Sequence, residues 1–237
     1  MNGKNKQNQL VVIKKLIKNG HIESGIRQAD LLIKQNKLVK ELSLLIKKTL
    51  IKNRVLEQEF SLSKVETLIK ERSFACAKYL IKNSTKKINQ NSKINYFLGK
   101  IYTELNETEN AILSFEAAKN LDPHNLSTRK DLANLHLTIG NLDKSIEIFN
   151  HIKEKDPLDG ENHRLLSRTK KYLSDKDDHI KQMESLISSS KINNEQKINI
   201  AFALGNIYEN LKKFDRSAFY YKIGNKKQNE RLGSSIQ

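Results

Sequence analysis

Two stretches of the sequence decide the fold: LGKIYTELNETENAILSFEAAKNLDP, Leu98–Pro123, and LANLHLTIGNLDKSIEIFNHIKEKDP, Leu132–Pro157. The second ends in the same Asp-Pro pair as the first, although most residues between have changed. Leucine, aromatic and small residues return at the interval that separates Leu98 from Leu132. Packing contacts require residues of a given size at fixed places, so this constant interval predicts a structural repeat.

Each repeat predicts a helical hairpin. Two apolar runs with helical spacing occur in the first repeat, and they comprise Phe97, Leu98, Ile101, Tyr102 and Leu105, then Ala111, Ile112, Phe115 and Ala118. In the next repeat, Gly140 is suited to end a helix in the left-handed conformation. Pro123 and Pro157 close the two repeats, because a residue before proline is disfavoured in a helix.

Small residues mark where the two helices of a hairpin should approach closely. Gly99 and Ala133 lie at this point on the first helix, and Ala111 and Ser145 lie there on the second. We therefore expect backbone-to-side-chain packing at these four positions.

A helix–turn–helix unit that recurs with these offsets, at a period of about 34 residues, resembles the tetratricopeptide repeat. Leu98-Gly99, Tyr102, Phe115 and Pro123 match the family's Leu-Gly pair, tyrosine, aromatic and proline, whereas Asn95 departs from its tryptophan position. The resemblance implies an all-α solenoid of helical hairpins, wound as a right-handed superhelix, with five to six repeats, some of them degenerate.

The repeat pattern predicts an organisation along the whole chain. Residues 1–57 form an N-terminal helical region with degenerate repeats, including a hairpin that turns at Gly20. Repeats follow over 58–91, 92–125, 126–159, 160–193 and 198–230, and residues 231–237 form a flexible tail. The degenerate repeat 160–193 has lost its small residues and proline, but keeps an apolar stripe of Leu166, Leu173, Ile180, Met183 and Leu186.

A narrower resemblance lies in FALGNIYENLKKFDRSAFYYKIGN, Phe202–Asn225. It is similar to the last repeat before the catalytic domain of bacterial tetratricopeptide-repeat sulfotransferases. The matching residues are Phe202-Ala203-Leu204-Gly205, Asp215, Ala218-Phe219, Tyr221 and Gly224-Asn225. That family binds phosphoadenosine phosphosulfate through a phosphate loop, for which this chain offers only Gly233-Ser234-Ser235. The resemblance implies a repeat portion without its catalytic domain.

Composition bounds the remaining functions. The net charge is +16, but lysines are spread along nearly every predicted helix and mixed with acidic residues, which favours a solvated basic face over a nucleic-acid site. No run reaches the roughly 20 apolar residues that a membrane helix needs, and the start does not read as a secretory signal, so we expect a soluble, cytoplasmic protein.

No catalytic, cofactor or metal site is predicted. Cys76 is the only cysteine, which excludes an internal disulfide and a thiolate cluster. The six histidines lack the spacing that places two metal ligands on one helix face, and SDKDDH, Ser174–His179, falls where a repeat turn belongs. Glycine-rich phosphate loops and nucleophile motifs are also missing. We therefore expect a chain that is not an enzyme by itself.

In this fold the first helix of each repeat lines a concave groove. The residues on these helices that packing does not use are Lys93, Tyr96, Lys100, Lys130, Asn134, Asn199 and Asn206. One branch of the family grips a terminal carboxylate with Lys and Asn from one repeat, Asn from the next, and Lys with Arg from a third. Lys130 and Asn134 match the first pair, but Leu165, Glu195 and Asn199 stand at the other three positions, so that clamp is incomplete.

The sequence thus predicts a protein–protein interaction scaffold that binds a peptide or protein segment, with acidic segments favoured by the groove lysines. Two alternatives stay open. The chain is the regulatory or substrate-presenting portion of a sulfotransferase, or it binds nucleic acid through its basic surface. The sequence names neither the partner nor the oligomeric state.

Overall fold

The described part of the chain folds into helices. The computed structural model describes residues 3–34, 39–52, 62–84 and 90–233, and these residues form thirteen α-helices and no strand, which confirms the all-α prediction. They belong to two compact units, Met1–Pro123 and His124–Gln237. The start of the predicted repeat 58–91, its residues 85–89 and residues 234–237 of the predicted tail lie outside the described residues.

The described residues of the N-terminal unit form seven helices. They are α1 (Gly3–Lys18), α2 (Ile22–Lys34), α3 (Val39–Lys52), α4 (Leu62–Lys70), α5 (Phe74–Ser84), α6 (Ser92–Glu104) and α7 (Thr108–Leu121). The predicted hairpin turn at Gly20 is present, with φ of 87°, a conformation that glycine adopts without strain. Ile13, Ile26, Leu42 and Ile46 form the buried core of α1, α2 and α3.

Glu23 of α2 holds the start of α5. Its carboxylate accepts the backbone N–H groups of Ala75 at 2.9 Å and Cys76 at 3.3 Å. These groups have no partner within their own helix, and a negative charge at a helix N-terminus is favourable. A contact between residues remote in sequence thereby joins the α1–α2 hairpin to α5.

The α6–α7 hairpin has the predicted close approach. A Cβ atom added at Gly99 would lie 2.5 Å from ring carbons of Phe115, and Ala111 is fully buried. Any side chain at Gly99 would therefore collide with the aromatic ring that defines the hairpin.

Six helices occur among the described residues of the C-terminal unit. They are α8 (Leu126–Thr138), α9 (Leu142–Lys155), α10 (Gly160–Thr169), α11 (Asp178–Ile187), α12 (Asn194–Asn210) and α13 (Phe214–Gly233). Gly140 has φ of 80° at the α8–α9 turn, as predicted. Ser145 donates its hydroxyl to the carbonyl of Ala133 at 2.9 Å, and Ser217 donates to that of Gly205 at the same distance. Two hairpins of this unit therefore use the same type of interhelical hydrogen bond.

The degenerate repeat differs from the sequence prediction. α10 has ten residues, against thirteen in α6 and α8, and residues 170–177 are not helical. Leu173 lies in this segment and is 83% exposed, so its assignment to the apolar stripe is wrong. Because α10 ends before Lys170, helical periodicity no longer decides which side chains of this segment point inward. Tyr172, rather than Leu173, points toward the buried His179 and hydrogen-bonds to it.

The loss of small residues in this repeat is also only partial. Ser167 stands at the position equivalent to Ala133 of the preceding repeat, and it is small and buried. On the second helix, His179 stands at the position equivalent to Ser145, and it is buried as well. The hairpin therefore accommodates an imidazole ring where other repeats have a small side chain.

Candidate partner-binding groove

A groove runs through the C-terminal unit between α10, α12 and α13. It consists of two adjoining clefts of about 580 Å³ and 510 Å³, which share Arg164, Arg168, Phe202 and Gln228 in their walls. We call the two clefts together the C-terminal groove. Pockets of this size accommodate ligands and peptide side chains.

Two of the three groove helices, α10 and α12, begin at side-chain caps. Asp159 precedes α10 and accepts the N–H of Asn162 at 3.0 Å, and Asn193 precedes α12 and accepts the N–H of Gln196 at 3.0 Å. Such caps fix where a helix starts and therefore which residues face the groove.

Two predicted residues line the C-terminal groove. Asn199 lies in the first cleft and accepts a hydrogen bond from a guanidinium nitrogen of Arg164 at 3.1 Å. Asn206 lies in the second cleft and accepts from the side-chain amide of Asn210 at 3.3 Å. They lie on either side of Phe202 along α12, so the helix presents amide, aromatic and amide groups in turn.

Lys130 is already neutralised by acidic residues. Its ammonium lies 2.7 Å from Asp159 and 2.8 Å from Glu161. Burial pushes the pKa of Lys130 down, but the hydrogen bonds to these two carboxylates outweigh it and the net shift is upward. Asn134 lies one turn further along α8 and is half-buried. The lysine of the family's carboxylate clamp is therefore engaged within the chain.

The other three predicted residues follow one face of α6 in the N-terminal unit. Lys93 pairs with Glu66 at 2.7 Å. The ring of Tyr96 is half-buried, 6.0 Å from those of Phe97 and Phe115, and the ammonium of Lys100 lies 5.6 Å from its centre. An aromatic ring with a cation over its face is a stable, partly exposed contact surface.

Two arginines that the sequence reasoning did not select stand out in the groove. Arg164 and Arg168 are exposed on α10, one helical turn apart. Within the described part of the chain, neither guanidinium has a carboxylate partner. Their spacing of one turn in a chain with few arginines was the available signal, but it did not reveal that both face a cleft.

A buried histidine pair was also missed. His163 and His179 stack in the degenerate repeat with ring centres 5.0 Å apart, and Tyr172 hydrogen-bonds to His179. No group of three or more metal-ligating side chains occurs among the described residues. The two rings are also hydrogen-bonded to each other. The histidine pair is therefore a packing and hydrogen-bonding element.

Part of the motif behind the sulfotransferase resemblance packs between α12 and α13. A Cβ at Gly205 would lie 2.7 Å from the ring of Tyr221, and one at Gly224 would lie 3.3 Å from that of Phe202. These two glycines allow α12 and α13 to pack closely, so this part of the motif is accounted for by helix contact alone. Ser234 and Ser235 lie outside the described residues.

Within the helices that the structure describes, none combines the length and apolar character needed to cross a bilayer.

Comparison with known proteins supports the repeat architecture. Sequence models of the tetratricopeptide repeat match residues 104–169 and 198–222. Among solved structures, MamA is similar with a TM-score of 0.59 at 18% identity, covering 73% of this chain and 98% of that one. BtubC (BKLC) from P. vanneervenii is similar with a TM-score of 0.54 at 12% identity, covering 93% and 92%.

These identities show a shared fold and nothing finer. No curated protein sequence matches the chain significantly.

Proposed function

Because this chain carries tetratricopeptide repeats, we propose that it is a protein-interaction scaffold, non-catalytic by itself, which binds a segment of a partner protein in the groove of its repeats. The observation that carries this proposal is the C-terminal groove, an open cleft lined by side chains of α10, α12 and α13.

The side chains of the groove suit an extended peptide. Asn199, Asn206 and Gln228 carry amide groups that both donate and accept hydrogen bonds, as the backbone of an extended segment requires. Phe202 lies between them and offers apolar area with only two rotatable bonds to immobilise. Interfaces gain most of their affinity from a few such anchors, surrounded by polar contacts.

In the N-terminal unit, Lys93, Tyr96 and Lys100 form a second candidate contact surface on α6. Tyr96 supplies aromatic area and the lysines favour an acidic segment. A scaffold of this kind would bind through one or both units.

Site-specific photo-crosslinking on the intact chain tests the proposal. A photoreactive phenylalanine analogue at Asn206 should crosslink to a protein partner from the source cells. The same analogue at Lys144, exposed on α9 and outside the groove lining, should not. Equal crosslinking from both positions, or crosslinking from Lys144 alone, would show that the groove is not the binding surface.

A further inference from the structure

We propose that Arg164 and Arg168 make the C-terminal groove a receptor for acidic protein segments, in which an Asp or Glu side chain pairs with this arginine pair beside the ring of Phe202. This inference rests on the proposed scaffold function and names the chemistry of its partner.

The charge lining the groove is uneven. Asp159, Glu161 and Glu195 line the first cleft, together with Arg164, Arg168 and Arg231. In the second cleft, however, Arg164 and Arg168 are the charged residues among those lining it. Two positive charges therefore face an open volume of about 510 Å³ with no acidic side chain among its lining residues. Such a cleft attracts and orients an anionic group.

Two of the three acidic residues that line the first cleft are occupied elsewhere. Asp159 and Glu161 both bind the ammonium of Lys130, at 2.7 and 2.8 Å. Lys130 thereby keeps two carboxylates from neutralising the arginines. Arg164 is held by Asn199 through one guanidinium nitrogen, which leaves its other N–H groups available and fixes its direction.

The geometry suits a carboxylate. The Cβ atoms of residues one turn apart on a helix are about 5–6 Å apart. The two long arginine side chains can therefore converge on one carboxylate, or two acidic residues can each bind one guanidinium group. Guanidinium binds carboxylate through two parallel hydrogen bonds. The rings of Phe202 and Tyr221, 6.3 Å apart, form the apolar wall of the same cleft. The preferred segment therefore carries an acidic residue next to an aromatic or aliphatic one.

The test uses a random dodecapeptide display library, screened against the intact chain. The selected peptides should be enriched in Asp or Glu adjacent to an apolar residue. A labelled peptide from this set should bind at least tenfold more weakly to Arg168→Glu and Arg164→Glu, because each change replaces an attraction with a repulsion. The affinity of Arg168→Lys should lie between those of the unchanged chain and Arg168→Glu, since lysine keeps the charge but loses the planar, two-bond donor geometry of arginine.

Lys144→Glu is the matched control, because it changes the net charge by the same amount on an exposed helix face of the same unit. It should alter affinity by less than twofold. Arg168→Gln serves in place of the charge reversal if Arg168→Glu lowers helicity.

The outcomes separate the two proposals. Selected peptides without acidic enrichment, whose affinity Arg168→Glu does not change, would overturn the arginine assignment and leave the scaffold intact. Failure to select any peptide would count against both. Binding of a single-stranded poly(U) dodecamer that competes with the peptide and is lost in Arg168→Glu would overturn the protein-segment assignment in favour of nucleic acid.

Discussion

His163 and His179 are hydrogen-bonded ring to ring, with 2.8 Å between Nδ1 of His163 and Nε2 of His179. Nε2 of His163 lies 2.9 Å from the carbonyl oxygen of Pro157, which can only accept, so this nitrogen is the donor. Nδ1 of His163 must then accept from His179, and Nδ1 of His179 must accept from the hydroxyl of Tyr172 at 2.6 Å. Burial lowers the pKa of both imidazoles, so both rings are neutral near pH 7, and for neutral rings this one carbonyl fixes both tautomers.

This arrangement predicts that stability falls in mild acid. Burial lowers the pKa of His179 to about 3 and also lowers that of His163, whereas both return to about 6.5 in the unfolded chain. The unfolded state therefore binds more protons below pH 6.5, and the free energy of unfolding decreases as the pH falls from 6.5 toward 3. The slope approaches about 1.4 kcal/mol per pH unit for His179, and His163 adds to it.

Urea denaturation between pH 7.5 and 4.5 measures this slope. In His163→Gln/His179→Gln the slope should flatten over the same range. Asp177, whose carboxylate binds Lys170, titrates at lower pH because its pKa is lowered, so it contributes little above pH 5. Stability that stays constant from pH 7.5 to 4.5 would show that the two rings are not buried in neutral form.

The small-residue contact predicts that Gly99→Ala destabilises the N-terminal unit. The new methyl group would lie 2.5 Å from the ring of Phe115, and the buried ring has little room to move. Overpacking of this kind costs about 1–3 kcal/mol, measured by thermal or urea unfolding. Gly205→Ala, which meets Tyr221, should show the same loss in the C-terminal unit.

The double variant Gly99→Ala/Phe115→Leu is the control, because a smaller side chain makes room for the methyl group. It should lose less stability than the sum of the two single changes. Full additivity would mean that the two positions are not in contact.

Lys78 and its two buried carboxylate partners predict that a substitution at Lys78 strongly lowers the free energy of unfolding. This residue is 3% exposed and binds Asp30 at 2.7 Å and Glu107 at 2.9 Å. Lys78→Met leaves two carboxylates without their cation, which costs roughly 3–5 kcal/mol. Lys93→Met, which breaks the exposed pair with Glu66, should destabilise the chain far less, because solvent screens exposed charges.

Chemical denaturation of both lysine variants gives the comparison. Asp30→Asn/Lys78→Met/Glu107→Gln should recover much of the loss, because no unpaired charge then stays buried. Equal destabilisation by Lys78→Met and Lys93→Met would contradict the assigned difference in burial.

The single thiol reports on opening of the N-terminal unit. Cys76 is 4% exposed, and burial, with a smaller contribution from the carboxylate of Glu23, raises its pKa to about 12. Because the thiolate is the reactive form, the native chain should react with iodoacetamide orders of magnitude more slowly than the urea-unfolded chain. Lys78→Met should accelerate labelling. Immediate reaction of the native chain would place the thiol at the surface.

The sequence by itself determined the repeat architecture, because its contacts are local. Gly99 and Phe115, or Ala133 and Ser145, lie within one hairpin, so a fixed offset in sequence implies a fixed contact in space. The turn at Gly140 follows in the same way from the conformational freedom of one residue. The requirement for a given size at these positions leaves a pattern that can be recognised without a structure.

The tertiary structure alone decided which side chains of the degenerate repeat are buried and which cations of the groove are available. Leu173 is exposed and Tyr172 packs against the core instead, because the segment 170–177 is not helical. Lys130 is neutralised by Asp159 and Glu161 from the next hairpin, whereas Arg168 is not paired within the described residues. Charge pairing falls off over a few ångströms, and such distances between remote residues are set by how the hairpins pack.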